Sequence, residues 1–326
     1  MSILQRWQNG SVALIAAGLM AACGGGGGGS DISNVSVTPT PAPSSQTSPI
    51  TPVEPGMPQA TDNVAVDGLN WLNFRRSQAG LAVLTRSAQI DSAAQNHSVY
   101  QRLNNKVTHD EEEGKAGFTG RTPLQRLNFV GYQFSGSYAF GEVISAASSN
   151  SGVYLAEELI TAIYHRFVVF EPKFKEIGSG DTATAGGYHY FTTNLTANNG
   201  FGVGLGPAVL ATWPAQGQTG VTRNFLSDSE VPDPVEGQNE VGYPVSVHAD
   251  IDVNLTVTTF TMRPRGGDNI NVKLLAKSSG DIHAPDSAAS IVPLAVLAPN
   301  TTYDVNFVGA SNGRPITKTW SFTTKP

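Results

Sequence analysis

Cysteine is nearly absent, with one among 326 residues. That excludes a disulfide framework, a cysteine-rich zinc module and an intramolecular thiol redox pair. Charge is also scarce, at 14% of residues, and there is no basic excess: 20 Lys and Arg stand against 26 Asp and Glu, for a net −6. A chain that grips nucleic acid needs a basic face to neutralise phosphates, so that class is excluded. The apolar run Ser11–Ala22 falls short of the roughly 20 residues of a membrane-spanning helix. The His-Glu-x-x-His pair, the Gly-x-Ser-x-Gly elbow and the phosphate-binding P-loop are all missing. The glycines between Gly200 and Gly206 are no dinucleotide fingerprint, because no helix start follows them. What is plentiful is Gly (35) and Pro (20), which points to long loops and linkers, and a 40% hydrophobic content, which permits a sizeable core.

The N-terminal run has the length of a signal-peptide apolar region and follows Arg6. It ends Leu19-Met20-Ala21-Ala22-Cys23, which resembles the bacterial lipobox, with Met20 where Leu is usual. The resemblance implies a signal peptide over 1–22 and a diacylated Cys23 as membrane anchor, its acyl chains each adding about 0.8 kcal/mol per buried CH₂. Gly rather than Asp follows Cys23, which by the sorting rule for such proteins implies the outer membrane. Residues 23–61 open with Gly24–Gly29 and continue in Ser, Thr and Pro, with only Asp31 and Glu54 charged. Such a segment buries too little to offset its ordering entropy and is expected to be a disordered tether.

Beyond it, Val66, Leu69, Leu72 and Arg76 keep helical spacing, with Asp62 or Asp67 as N-cap and Gly80 as the stop. A second helix is expected from about Ser87 to Leu103, through Ile90, Ala93, Ala94 and His97. A short one is expected at Pro123–Leu127 and a long one from Gly152 to Phe167. Phe174–Gly180 and Tyr188–Leu195 read as strands around Gly186-Gly187. Residues 199–240 show no clear periodicity and are expected to be a connector. From 241 to 326 short alternating strands dominate, including Val245–Phe260, the Ile270-Val272-Leu274 set and two strands joined at Asn312-Gly313. They match a small β-sandwich.

Several motifs then follow in a telling order. Asn73-Phe-Arg-Arg76, with Gly80-Leu81 after it, precedes Ala93-Ala-Gln-Asn-His97 and Val107-Thr-His109. Gly131-Tyr132 precedes Gly141-Glu142-Val143. His165-Arg166 precedes Pro172, Phe174 and Ile177-Gly178-Ser179-Gly180. In this order they resemble the CAP superfamily of cysteine-rich secretory, antigen 5 and pathogenesis-related proteins, of the bacterial extracytoplasmic type. The resemblance implies an α+β chain: an α-β-α sandwich over 62–198, with a central antiparallel sheet. The end of the chain, through Leu297-Ala-Pro299-Asn-Thr-Thr-Tyr303 and Trp320-Ser-Phe322-Thr-Thr, resembles bacterial Ig-like modules, with Tyr303 and Trp320 in the core. Many CAP members hold two His and two Glu in a cleft. His109, Glu142 and His165 match three of these. The fourth, a Glu on the helix before the last His, has no clear counterpart: Glu157 and Glu158 lie on that helix, but Ala162 stands three residues before His165. Val143 and Tyr164 depart from the family's usual residues.

Two imidazoles and a carboxylate can hold Zn²⁺, or Mg²⁺ or Ca²⁺, with a position left for water. Without metal, a His/Glu pair can act as general base and acid, or simply brace helix to sheet. Three functions stay open at this stage. One is binding of a lipid or cell-wall component in the cleft. The second is metal-assisted, peptidase-like hydrolysis through His109, Glu142 and His165. The third is an adhesive role of the Ig-like module. Outside the cleft, His97 is expected to be a satisfied, semi-buried histidine on an apolar helix stripe. His189, His248 and His283 are expected on strand surfaces, and Asp110–Glu113 on a solvated loop.

Overall fold

The computed structural model describes residues 54–326 and the backbone of one earlier strand, Ser11–Ile15. The rest of the expected signal peptide, Cys23 with its expected lipid anchor, and the expected tether up to residue 53 lie outside the described residues. In chain order the first half comprises β1 (Ser11–Ile15), α1 (Val64–Gln78), β2 (Thr85–Arg86), α2 (Ala88–Asn104) and α3 (Pro123–Phe129). It continues with β3 (Tyr138–Ala147), α4 (Gly152–Thr161), α5 (Ile163–Val169), β4 (Glu176–Ala183) and β5 (His189–Ala197). One sheet of order β1-β3-β5-β4-β2 runs through the middle. Its three central strands are antiparallel, and both outer strands run parallel to their neighbours.

Alternation along β3 sorts the two faces. Phe140 points to a small core with Ile90 and Ala93 of α2 and Leu127 of α3. Val143 points to the main core, with Leu69 and Leu72 of α1 and Leu155 and Leu159 of α4. Helices therefore cover both faces, the α-β-α sandwich expected from the resemblance. Glu142 falls on the α2 side with Phe140. Helix α2 lies close on β4 because Gly178 and Gly180 have no side chain there; a Cβ on either would overlap the α2 backbone around Ile90–Gln95.

The caps show why these helices start and stop where they do. The N-cap of α1 is Asn63, not Asp62 or Asp67; its side chain accepts from the Val66 amide at 3.1 Å. Asp67 instead accepts from Thr61, both bonds at 2.7 Å. Helix α3 opens with a full capping box between Thr122 and Gln125. The end of the expected tether runs against α1, where Glu54 pairs with Arg75 at 2.7 Å. The single helix expected over Gly152–Phe167 is in fact two, because Ala162 is extended at φ −67°, ψ 117°.

The second half comprises β6 (Ala211–Trp213), β7 (Asn224–Leu226), β8 (Glu240–Gly242), β9 (Val245–His248) and β10 (Leu255–Pro264). After them come β11 (Val272–Ala276), β12 (Ala288–Pro293), β13 (Thr302–Ser311) and β14 (Arg314–Thr323). Two sheets, β11-β12-β9-β6 and β10-β13-β14, form the sandwich, and β7 pairs with β8. Phe260, Phe307, Tyr303 and Trp320 are buried with Val247 and Ile291 in its core. Asn312 and Gly313, both at positive φ, make the tight turn between β13 and β14. The run Val245–Phe260 is two strands rather than one, with a turn between His248 and Leu255. The segment 199–240, expected as a connector, supplies β6 to the larger sheet and carries β7.

The halves share one continuous core. Phe170, at the end of α5, packs edge-on against Trp213 and against His248, with ring centroids 5.3 Å apart in both pairs. His248 is thus buried, not on a strand surface as expected: it faces the α5 aromatics, and its Nε2 meets Ser246 Oγ at 2.9 Å. Arg166 ties the same seam, donating to the Pro244 carbonyl at 2.7 Å. Glu171 crosses it, accepting from the Ile251 amide at 3.0 Å.

Burial pushes the Glu171 carboxyl up to about 8 from its ordinary 4.5, against the amides of Lys173 and Ile251 and the charge of Arg76, which pull it down. An acid with a raised folded-state pKa binds its proton more tightly in the native chain. It therefore adds stability at pH values below its folded pKa, and that stability drains away as pH climbs from about 4.5 to about 8. Urea unfolding of the wild type between pH 5 and 9 is expected to show this decline, and Glu171→Gln to flatten it. Equal slopes in the two proteins would refute the assignment.

Candidate functional site

The polar centre is assembled on the α2 side of the sheet from four successive segments. Helix α2 carries His97, the loop after it carries His109 and Glu111, α3 carries Arg126 and β3 carries Glu142. All five are buried. His97 Nδ1 donates to Glu111 Oε1 at 2.9 Å and its Nε2 to the Thr108 carbonyl at 2.6 Å. Both ring nitrogens thus face oxygen acceptors. Glu111 also accepts from the Thr119 and Gly120 amides at 2.6 and 3.2 Å. The acidic run Asp110–Glu113 is therefore not wholly a solvated loop: Glu111 turns inward while its neighbours stay exposed.

Arg126 joins the two carboxylates. Its Nη2 donates to both oxygens of Glu142, at 2.7 and 2.8 Å, and its Nε lies 3.8 Å from Glu111. Its Nη1 donates to the carbonyl of His109 at 2.9 Å. Burial alone would push Glu142 up, but the charges of Arg126 and His97 and the hydrogen bond from His109 override it. They hold the carboxylate far below its usual range.

His109 is held at both ends. Its Nδ1 donates to Glu142 Oε1 at 2.9 Å, and its carbonyl is gripped by Arg126. Burial lowers its pKa; the Glu142 contact raises it, and repulsion from His165 and His97 lowers it, leaving a net drop. The neutral ring carries its proton on Nδ1, so Nε2 presents a lone pair. That atom is buried and has no hydrogen-bond partner.

His165 repeats the arrangement. Its Nδ1 donates to a carboxylate at 3.0 Å, and its Nε2 is likewise buried and without a partner. The carboxylate is Glu230, from the turn after β7. Glu230 also accepts from the amides of Ile163, Tyr164 and His165 at 2.8, 2.7 and 3.1 Å. This explains the break at Ala162. The amides that would continue α4 turn instead to Glu230, and the carbonyl of Thr161 meets Arg166 Nη2 at 3.3 Å.

Of the two carboxylates on α4, Glu157 lines the cleft beside α5 but is held by Arg75 at 2.8 Å and Trp71 at 2.6 Å. Glu158 lines the same cleft, its carboxyl raised by burial and by Glu157. That cleft encloses about 480 Å³ between the halves. His165 stands in its wall among Val107, Ile144, Leu159, Phe225 and Leu226. Tyr154 and Leu226 form part of its rim, 45% and 47% exposed.

Residues 69–195 match the model of the cysteine-rich secretory protein family, CAP. This stretch is a CAP domain. Solved structures similar to the chain include an extracellular SCP-domain protein from Bacillus anthracis str. Ames, 24% identical with a TM-score of 0.36 over 46% of this chain and 44% of that one. An outer surface protein from Borrelia burgdorferi is 14% identical, with a TM-score of 0.34 over 40% of this chain and 90% of that one. Venom allergen-like protein 4 from Schistosoma mansoni is 10% identical, with a TM-score of 0.30 over 42% of this chain and 90% of that one. The chain thus spans under half the length of the Bacillus protein. No curated protein matches the chain.

Within the CAP domain, His109 and Glu142 meet directly, while His165 approaches from α5 with its own carboxylate. Glu142 stands behind an imidazole and is fully occupied by Arg126 and His109. Sequence reading missed Arg126, Glu111 and Glu230. Arg126 had a weak signal as a cation on a short amphipathic helix. Glu230, within Ser227-Asp-Ser-Glu230, had none. Replacing Arg126 with Met leaves Glu142 buried without its cation and is expected to cost about 3–5 kcal/mol in urea unfolding. Arg126→Lys is expected to recover only part, because a point charge cannot serve two oxygens and a carbonyl together. A loss below about 1 kcal/mol in Arg126→Met would show that this ion pair does not hold the cluster.

Proposed function

We propose that this chain is an exported cell-envelope lipoprotein, anchored through Cys23, whose CAP cleft binds an envelope component with an apolar portion. In this reading His109 and His165 seat a divalent cation beside the ligand. One observation carries it: two buried imidazoles each have Nδ1 tied to a carboxylate and Nε2 left without a partner. Ligating histidines are held in this way, because the carboxylate fixes the tautomer and strengthens the opposite nitrogen as a donor.

Such a cation would be held through these two imidazoles and no more: His165 lines the cleft wall, and His109 lies behind it, near enough for the two rings to repel. Among the described residues no group of three or more His, Cys, Asp or Glu side chains is placed to hold a metal. Two imidazoles suit an exchangeable ion completed by ligand and water, unlike a closed structural zinc site. A bound cation there supplies positive charge to an oxygen of the ligand. His109 and His165 would hold that cation, and the Phe225–Leu226 wall and the exposed Tyr154 favour an apolar portion of the ligand beside it. The lipobox-like Leu19–Cys23 and the tether support display at a membrane.

Calorimetric titration of Zn²⁺ into the full chain is expected to show one micromolar site, with Mg²⁺ and Ca²⁺ weaker. His109→Ala and His165→Ala should each abolish it. Absence of binding, or binding that survives both substitutions, would overturn the cation seat. Separately, Cys23→Ser is expected to move the protein from the membrane to the soluble fraction and to remove labelling by radioactive palmitate. Unchanged partition would refute the anchor.

A further inference from the structure

We infer that Glu230 is the positioning carboxylate of His165, so that the cation affinity of the CAP cleft is set partly by the other half of the chain. This rests on the two-imidazole reading above. Sequence reading sought the fourth cleft carboxylate on the helix before His165; the structure finds one 65 residues further along the chain.

Three observations carry the inference. First, Glu230 is fully buried, and its one bond to a side chain is to His165 Nδ1. Second, its carrier is rigid. The Glu230 amide bonds the Ser227 carbonyl at 3.0 Å, the Ser227 amide bonds the Asn239 carbonyl at 2.7 Å, and the Ser227 hydroxyl accepts from the Val235 amide at 3.0 Å. The carboxylate thus reaches α5 from a turn fixed by the β7–β8 pair. Third, the two backing carboxylates differ. Glu142 shares its charge with Arg126, whereas among the described residues Glu230 forms no ion pair with Lys or Arg. Buried Arg166 still feels the Glu230 charge, but through space and not in a direct bond. Glu142 and Glu230 come from opposite halves, so the seat is complete only when the halves are docked.

A rival role for Glu230 is to cap α5 and nothing else. Glu230→Gln separates the two, since its one oxygen can still accept from the Tyr164 and His165 amides, at the loss of the Ile163 bond, while the charge is gone. The test is Zn²⁺ calorimetry on the full chain, beside ¹⁵N NMR of the imidazoles in the metal-free protein. Glu236→Gln, an exposed carboxylate nearby, controls for net charge. The expected result is a ten- to hundredfold weaker affinity in Glu230→Gln and none in His165→Ala. Glu236→Gln should match the wild type, and the His165 Nδ1–H tautomer should be fixed in the wild type and loosened in Glu230→Gln. If Glu230→Gln binds Zn²⁺ like the wild type while His165→Ala does not, Glu230 is a cap only and the inference falls. If the wild type itself binds no Zn²⁺, the reading of the cleft falls, and the tautomer alone decides whether Glu230 positions His165. Should Glu230→Gln fail to fold, Glu230→Asp keeps the charge but shortens its reach; wild-type affinity there would also overturn the inference.

Discussion

Everything at the centre of this molecule depends on how one broken helix is satisfied. Where α4 ends and α5 begins, a set of amides and carbonyls loses its helical partners, and buried backbone groups cannot be left unpaired. Glu230 answers the amides and Arg166 answers the carbonyls. Each then reaches further, Glu230 to the ring of His165 and Arg166 to the Pro244 carbonyl in the other half. The break, the orientation of His165 and the docking of the halves are therefore one arrangement. Phe167 and Phe170 could not face His248 and Trp213 if α4 ran straight on.

The second organising feature is the buried group of Glu111, Glu142, Arg126 and His97. Removing any one charge leaves its partners in a low-dielectric interior without compensation. Such a cluster is weak evidence for stability, since apolar residues of similar volume often serve as well. What it provides here is geometry. Arg126 spans both oxygens of Glu142 and the backbone of His109, so the imidazole is fixed along its chain and at its ring together. The close approach of α2 to β4 over Gly178 and Gly180 fixes His97 against the same sheet.

The sandwich, the order of its elements and the hairpin at Asn312-Gly313 were legible because they rest on local patterns: apolar spacing, caps and a turn dipeptide. His109, Glu142 and His165 were legible through motif resemblance. What escaped the sequence was set by tertiary demand. Helical propensity runs unbroken through Ala162, and only Glu230, far along the chain, makes a break there favourable. Glu111 sits in an acidic run whose other members are solvated, so composition hides its inward turn. His248 alternates like a surface residue, yet the face it presents is the one covered by α5. The stretch between β5 and β9 lacks periodicity because its strands are three residues long, too short for a period to show.

The separation between His165 and Glu230 also orders events in time. A chain emerging from its N-terminus can pack α1, α2 and the central sheet early, while the amides of α5 still face water. The cleft acquires its final shape only once residue 230 has emerged and its turn has closed. Until then His165 lacks the carboxylate that orients it, whereas His109 already meets Glu142.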